Sequence, residues 1–196
     1  YCTLPMARTV SSVFLLSASH QGRNASRSMY SVPLPTRALA CRNSGSFAAF
    51  AAASLLAARY LARADARNVL IVGTGRLARF MAQAHCAGRD VEQLWVWGRN
   101  AEHAQALAST LRTEGLPAEA AADLQRAVAA SHIVSCATTA AVPVVHGAWL
   151  AAGMHLDLVG AFRRGMREAD DAAVACSQIY VDTYAGALAE AADVIE

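Results

Sequence analysis

The chain has 196 residues, 55% of them apolar and 16% charged, a balance too hydrophobic for a solvated disordered chain. All 17 basic residues are arginine; a net charge of +2 argues against a dedicated nucleic-acid binder, and the lack of lysine excludes Schiff-base chemistry. No apolar run reaches the roughly 18–20 residues of a membrane span, so neither nucleic acid nor membrane is expected as a partner.

Charge divides the chain. No carboxylate precedes Asp65, and the first 64 residues carry seven arginines. Residues 1–46 are rich in Ser and Arg and hold no period of 2 or 3.6, as in an organelle transit peptide or a misread amino terminus. They are expected not to pack, leaving one domain over 47–196, with a cytoplasmic location as the main expectation. Phe47 to Arg63, rich in Ala and Leu, predicts a helix. Asn68-Val-Leu-Ile-Val72 predicts a buried parallel strand, followed by a helix from Gly75 to about Ala87. Gln93 to Trp97 reads as a second strand, and Asn100 as the N-cap of a helix that Gly115 and Pro117 stop. A short strand near 118–121 and a helix near 123–130 follow. Further strands are expected over 132–136, 154–159 and 178–182. Strands alternating with helices at this spacing give an α/β, doubly wound parallel sheet of the Rossmann type. The five cysteines form no CxxC pair and the six histidines no metal spacing, so no metal site is expected.

Gly73-Thr74-Gly75-Arg76-Leu77-Ala78 is a GxGxxA turn between a strand and a helix. The first glycine permits the turn, the second lets backbone approach a pyrophosphate, and Ala78 lets helix and strand pack closely. The helix N-terminus then supplies free N–H groups to phosphate. After the second strand, where NAD binders place an acid for the ribose diol, stands Trp97-Gly98-Arg99-Asn100. Arg99, with Asn100 and Arg76, suits a 2′-phosphate, so NADP(H) is expected over NAD(H). Thr138 and Thr139 after the fourth strand, with Val159 and Gly160 after the fifth, are expected beside the nicotinamide. No residue stands out as a catalytic acid.

Several segments together resemble the ornithine cyclodeaminase/mu-crystallin family: the AAAS string ending at Ser54, Arg59-Tyr-Leu61, Gly73-Thr-Gly75, Trp97-Gly-Arg99-Asn100, Ile133 to Thr138, Gly147-Ala-Trp149-Leu, His155 to Gly160, Arg167 to Asp170, Val181-Asp182-Thr183 and Ala189-Glu190. The resemblance implies a Rossmann domain flanked by a split substrate and dimerisation domain, a homodimer, and a small cyclic imino acid or amino acid as substrate. In cyclodeaminases the loop after the fifth strand carries a catalytic Asp; the matching position is Phe162, and a phenyl ring moves no proton. The string Val159 to Glu168 is instead similar to the branch that reduces cyclic imines such as Δ1-pyrroline-2-carboxylate. The family's carboxylate-gripping Arg falls at Ala49, and its substrate-domain Lys has no counterpart. The flanking substrate domain is therefore expected to be largely missing. The expected activity is an NAD(P)H-dependent reductase of a cyclic imino acid, which this fragment need not itself carry; the alternatives are an NAD-dependent, ammonia-releasing ornithine cyclodeaminase and a non-catalytic, NADPH-binding mu-crystallin-like protein.

Overall fold

The computed structural model describes residues 14–18, 29–31 and 44–195. The elements in chain order are β1 (Phe14–Ala18), β2 (Met29–Ser31), α1 (Ser44–Leu61), β3 (Asn68–Val72), α2 (Arg76–Gly88), β4 (Gln93–Trp97), α3 (Ala101–Thr113) and β5 (Ala118–Ala120). They continue with α4 (Leu124–Ala130), β6 (Ile133–Cys136), a 3-10 turn over Gly147–Trp149, β7 (His155–Leu158), α5 (Asp171–Ala175), β8 (Ser177–Val181), α6 (Tyr184–Glu190) and α7 (Ala192–Ile195). Five strands run parallel in the order β5-β4-β3-β6-β7. The first of the five in the sequence, β3, lies at the centre, so the chain reverses its direction of winding between β3 and β6. Ligands of such sheets bind at that crevice, outside the carboxyl ends of the strands.

The sheet departs from the expected all-parallel array beyond β7. There β1 lies between β7 and β8, antiparallel to both, and β2 pairs with the far side of β8. Two stretches of the segment expected not to pack are thus strands. Val13-Phe-Leu-Leu16 is a short apolar run flanked by Ser12 and Ser17, and an antiparallel partner needs no crossover helix to reach the edge of β7. The rest of 1–43 lies outside the described residues.

Strands β6 and β7 are buried along their whole length, as is β3 from Val69 onward, because helices cover both faces. Val69, Ile71, Leu94, Val96 and Ile133 meet the helices α1, α2 and α3 on one face. Leu70, Val72, Val134, Leu156 and Leu158 meet α4 to α7 on the other. Helices α1 and α2 run parallel: Phe47 stacks on Phe80 at 6.2 Å near their starts, and Leu55 presses on Gly88 near the end of α2. A Cβ on Gly88 would lie 2.5 Å from Leu55 Cδ1. Both helices therefore begin at the carboxyl edge of the sheet. Among the described residues no helix is long and apolar enough to cross a membrane.

Candidate functional site

The glycine turn sits where the sheet's winding reverses. Gly73 has φ +129°, a conformation that L side chains rarely adopt, and a Cβ there would lie 2.5 Å from Ala137 O. The loops after β3 and β6 thus meet backbone to backbone. The Gly73 N–H donates to Trp97 O at 2.8 Å, tying the turn to the end of β4. Gly75 is the N-cap of α2 and no side chain caps that end. A Cβ on Gly75 would meet nothing within 4 Å, so the space over the first turn of α2 is open. The uncapped amides of Arg76, Leu77 and Ala78 can therefore take an anion, with the helix dipole adding to their attraction. Ala78 is fully buried against the sheet, which allows the close helix–strand approach the turn requires.

At the end of β4, Gly98 receives the Thr74 side chain; a Cβ on Gly98 would lie 2.5 Å from Thr74 Cγ2. This contact sets Arg99 and Asn100 beside the glycine turn. Arg99 is exposed, and no ion pair or hydrogen bond joins it to a described residue. Asn100 Oδ1 accepts from Glu102 N at 2.8 Å and His103 N at 3.3 Å, so its carbonyl is committed to capping α3 and only Nδ2 can donate to a ligand. Arg76 is turned toward the start of α1, with its guanidinium 5.0 Å from the centre of the Phe47 ring. Arg76 and Arg99 are therefore not brought together as the sequence reading expected.

The loops after β6 and β7 converge on a residue to which sequence reasoning gave no role. Glu168 is fully buried; its Oε1 accepts from Thr138 N at 2.6 Å and Thr138 Oγ1 at 2.7 Å, and its Oε2 accepts from Gly160 N at 2.6 Å. Burial pushes the Glu168 carboxyl up to about 8, opposed by these three donors. A Cβ on Gly160 would collide with Thr138 O and Glu168 Oε1, so only glycine fits. Thr138 thus spends its hydroxyl on Glu168 instead of presenting it to a ligand. Thr139 is exposed beside it, and Val159 is buried with its N–H on Cys136 O at 3.1 Å. One signal in the sequence marked Glu168: a carboxylate between Arg167 and Ala169, in a chain with few acids. Its partners, however, lie 30 and 8 residues away.

Phe162 is half-buried and carries the Arg163 guanidinium 5.2 Å from its ring centre; Arg163 and Arg164 are exposed at the tip of the loop after β7. Asp157 is fully buried in β7 and out of a ligand's reach. His146 Nδ1 lies 2.9 Å from Asp170 Oδ2, and Asp170 also accepts from Gly147 N and Ala173 N. A cavity of about 300 Å³ lined by Arg59, Asp65, Arg67, Arg89 and Asp90 lies at the opposite, amino edge of the sheet and shares no residue with the glycine turn. Among the described residues no cluster of His, Cys, Asp or Glu has the makings of a metal site.

A sequence profile of the ornithine cyclodeaminase/mu-crystallin family matches residues 45–194. The Delta(1)-pyrroline-2-carboxylate reductase of Paracoccus denitrificans is 46% identical over 136 residues, which is 68% of this chain and 42% of that protein. Among solved structures, the Delta(1)-pyrroline-2-carboxylate reductase of Thermococcus litoralis, in complex with NADH and L-proline, superposes with a TM-score of 0.68 at 31% identity, covering 76% of this chain and 47% of the other. The iminosuccinate reductase of Paracoccus denitrificans with NAD+ gives 0.61 at 27% identity, covering 66% and 40%. The chain spans less than half the length of these relatives.

Proposed function

The chain belongs to the ornithine cyclodeaminase/mu-crystallin family, and from that premise we propose that it is the dinucleotide-binding part of an NAD(P)H-dependent reductase of a cyclic imino acid, of the Δ1-pyrroline-2-carboxylate type. The observation that carries this reading is the uncapped start of α2 under the open face of Gly75, a cradle shaped for pyrophosphate. The residues present fit the dinucleotide. Gly73, Thr74 and Gly75 hold the turn open, the amides of Arg76, Leu77 and Ala78 bind the phosphates, and Arg99 with the Asn100 Nδ2 reaches the adenosine ribose. Thr138, Thr139, Val159 and Gly160 border the nicotinamide. A bound dinucleotide would supply a hydride to the C=N carbon, with the nitrogen taking its proton from water.

Phe162 favours reduction over ammonia release. The cyclodeaminase route needs a carboxyl to move protons at that position, and the ring has none. The reductase relative at 46% identity supports the same choice. Arg99 supports NADP(H) over NAD(H), because an exposed guanidinium with no ion pair or hydrogen bond to a described residue attracts a 2′-phosphate. The two solved relatives carry NADH and NAD+, so the proposed preference rests on Arg99 alone. The family resemblance implies a homodimer, and exposed Tyr184 and Leu188 on α6 offer apolar surface for it.

Titration of the purified chain with NADPH and with NADH, followed by calorimetry, tests the reading. Saturable binding that is tighter for NADPH is the expected result. Tighter NADH binding overturns the role of Arg99, and no binding of either overturns the dinucleotide reading. With binding established, NADPH oxidation in the presence of Δ1-pyrroline-2-carboxylate tests the substrate.

A further inference from the structure

We propose that Glu168 is a positioning residue for the nicotinamide half of the dinucleotide, acting through the two loops it clamps. This inference rests on the dinucleotide reading above. Glu168 is fully buried, so it touches neither cofactor nor substrate. Its effect passes through Thr138 and Gly160, which end the loops after β6 and β7, at the carboxyl edge where the nicotinamide must lie.

The clamp requires a carboxylate. Three donors converge on Glu168: the Thr138 N–H, the Thr138 hydroxyl and the Gly160 N–H. Burial opposes ionisation of this carboxyl while the three donors favour it, and in the ionised, acceptor-only form it satisfies them all. Glutamine has nearly the same shape, but it sets an NH2 against one of these donors. The residue is itself held from the opposite side. Glu168 N and Ala169 N donate to Asp193 Oδ1 at 2.8 and 2.9 Å, and Glu168 O accepts from Val144 N at 3.0 Å and Val145 N at 2.9 Å. The carboxylate therefore has one place to stand, and it fixes the separation of the two loops. Gly160 shows how narrow that separation is, since no Cβ fits between Thr138 O and Glu168 Oε1.

The two halves of the dinucleotide are held by different residues. The glycine turn and Arg99 hold the ADP-ribose half; the turn meets the loop after β6 at Ala137, whereas Glu168 bonds Thr138 and Gly160. The clamp therefore acts first on the nicotinamide half. The test compares E168Q with the unsubstituted chain in binding two ligands: NADPH, and 2′-phospho-ADP-ribose, which lacks the nicotinamide (NADH and ADP-ribose replace them if NADH proves the tighter ligand). E168Q is expected to weaken the complete dinucleotide by about tenfold or more and to leave the ADP-ribose compound within about twofold. T138V, which removes the hydroxyl donor to Glu168 together with the weak acceptor it offers Ala140 N at 3.4 Å, should show the same one-sided loss at a smaller size, about threefold, and it decides the matter if E168Q does not fold. Equal losses for both ligands would reveal a general structural role and overturn the proposal, as would no loss for either. If the unsubstituted chain binds neither ligand, the dinucleotide reading itself fails and this proposal falls with it.

Discussion

Ser135 Oγ donates to Asp157 Oδ2 at 2.8 Å across the adjacent parallel strands β6 and β7, and both residues are fully withdrawn from water. Burial pushes the Asp157 carboxyl up to about 7, opposed by the Ser135 and Ser54 hydroxyls. The folded state therefore holds a proton that the unfolded chain releases near its ordinary value of 3.8. The stability this proton confers is full below about pH 4 and is lost as the pH rises toward about 7. D157N keeps an oxygen for Ser135 and cannot ionise. It should leave stability nearly unchanged at pH 4 and raise it by about 2–4 kcal/mol at pH 8. Urea unfolding at the two pH values checks this, and a gain of equal size at both would contradict it.

The two buried histidines work in the opposite sense. His85 and His155 are fully buried with no hydrogen-bond partner at any ring nitrogen among the described residues. Burial lowers His85 to about 4 and His155 to about 3, from 6.5. Both are neutral in the fold and charged in the unfolded chain at mild acidity. Their contribution is complete above pH 6.5 and is lost as the pH falls toward 4 and below. H155L removes one such group and two unpaired nitrogens. Its stability relative to the unsubstituted chain should improve by about 1–3 kcal/mol between pH 7 and pH 4. Thermal melts across that range provide the measurement.

The two glycines of the turn should separate stability from binding. G73A places a Cβ 2.5 Å from Ala137 O at φ +129°, and should destabilise the fold by about 2 kcal/mol or more. G75A adds its Cβ to open space at φ −78°, an ordinary conformation. It should change stability by less than about 0.5 kcal/mol. The methyl enters the phosphate cradle, so dinucleotide affinity should fall by about tenfold or more. Parallel melts and titrations of the two variants would show whether these effects separate.

Removal of the Arg99 guanidinium should act on one cofactor only. R99A is expected to weaken NADPH by about tenfold or more, while NADH binding stays within about twofold. Raising the salt concentration should reduce the NADPH advantage of the unsubstituted chain and leave R99A unaffected. An equal loss for both cofactors would remove Arg99 from 2′-phosphate recognition.

The residues that were legible in the sequence carry short-range signals. Asn68–Val72 and Gln93–Trp97 are β-branched or aromatic runs, and each is a strand with the bounds expected. Asn100 caps α3 as its position before an Ala-rich segment suggests. The GxGxxA turn lies between strand and helix, where its chemistry requires it. What the sequence concealed depends on distance along the chain. The Thr138 hydroxyl looks free for a ligand until the fold brings Glu168 to it, and Arg76 looks free for a phosphate until α1 sets Phe47 under it. β1 was missed because its short apolar run has no period of its own and takes its place only from the edges of β7 and β8. The depth of His85 and Asp157 was not visible either, since neither residue type declares burial.

Asp193, on the short helix α7, receives the backbone amides of Glu168 and Ala169, and its other oxygen is buried without a partner among the described residues. An aspartate far along the chain from the glycine turn thus underpins the clamp on Thr138 and Gly160. On the proposed reading, the chain keeps at this position an acid that no ligand ever meets. Mutational tolerance at position 193 should therefore track the demands of dinucleotide binding more closely than the residue's distance from the glycine turn would suggest.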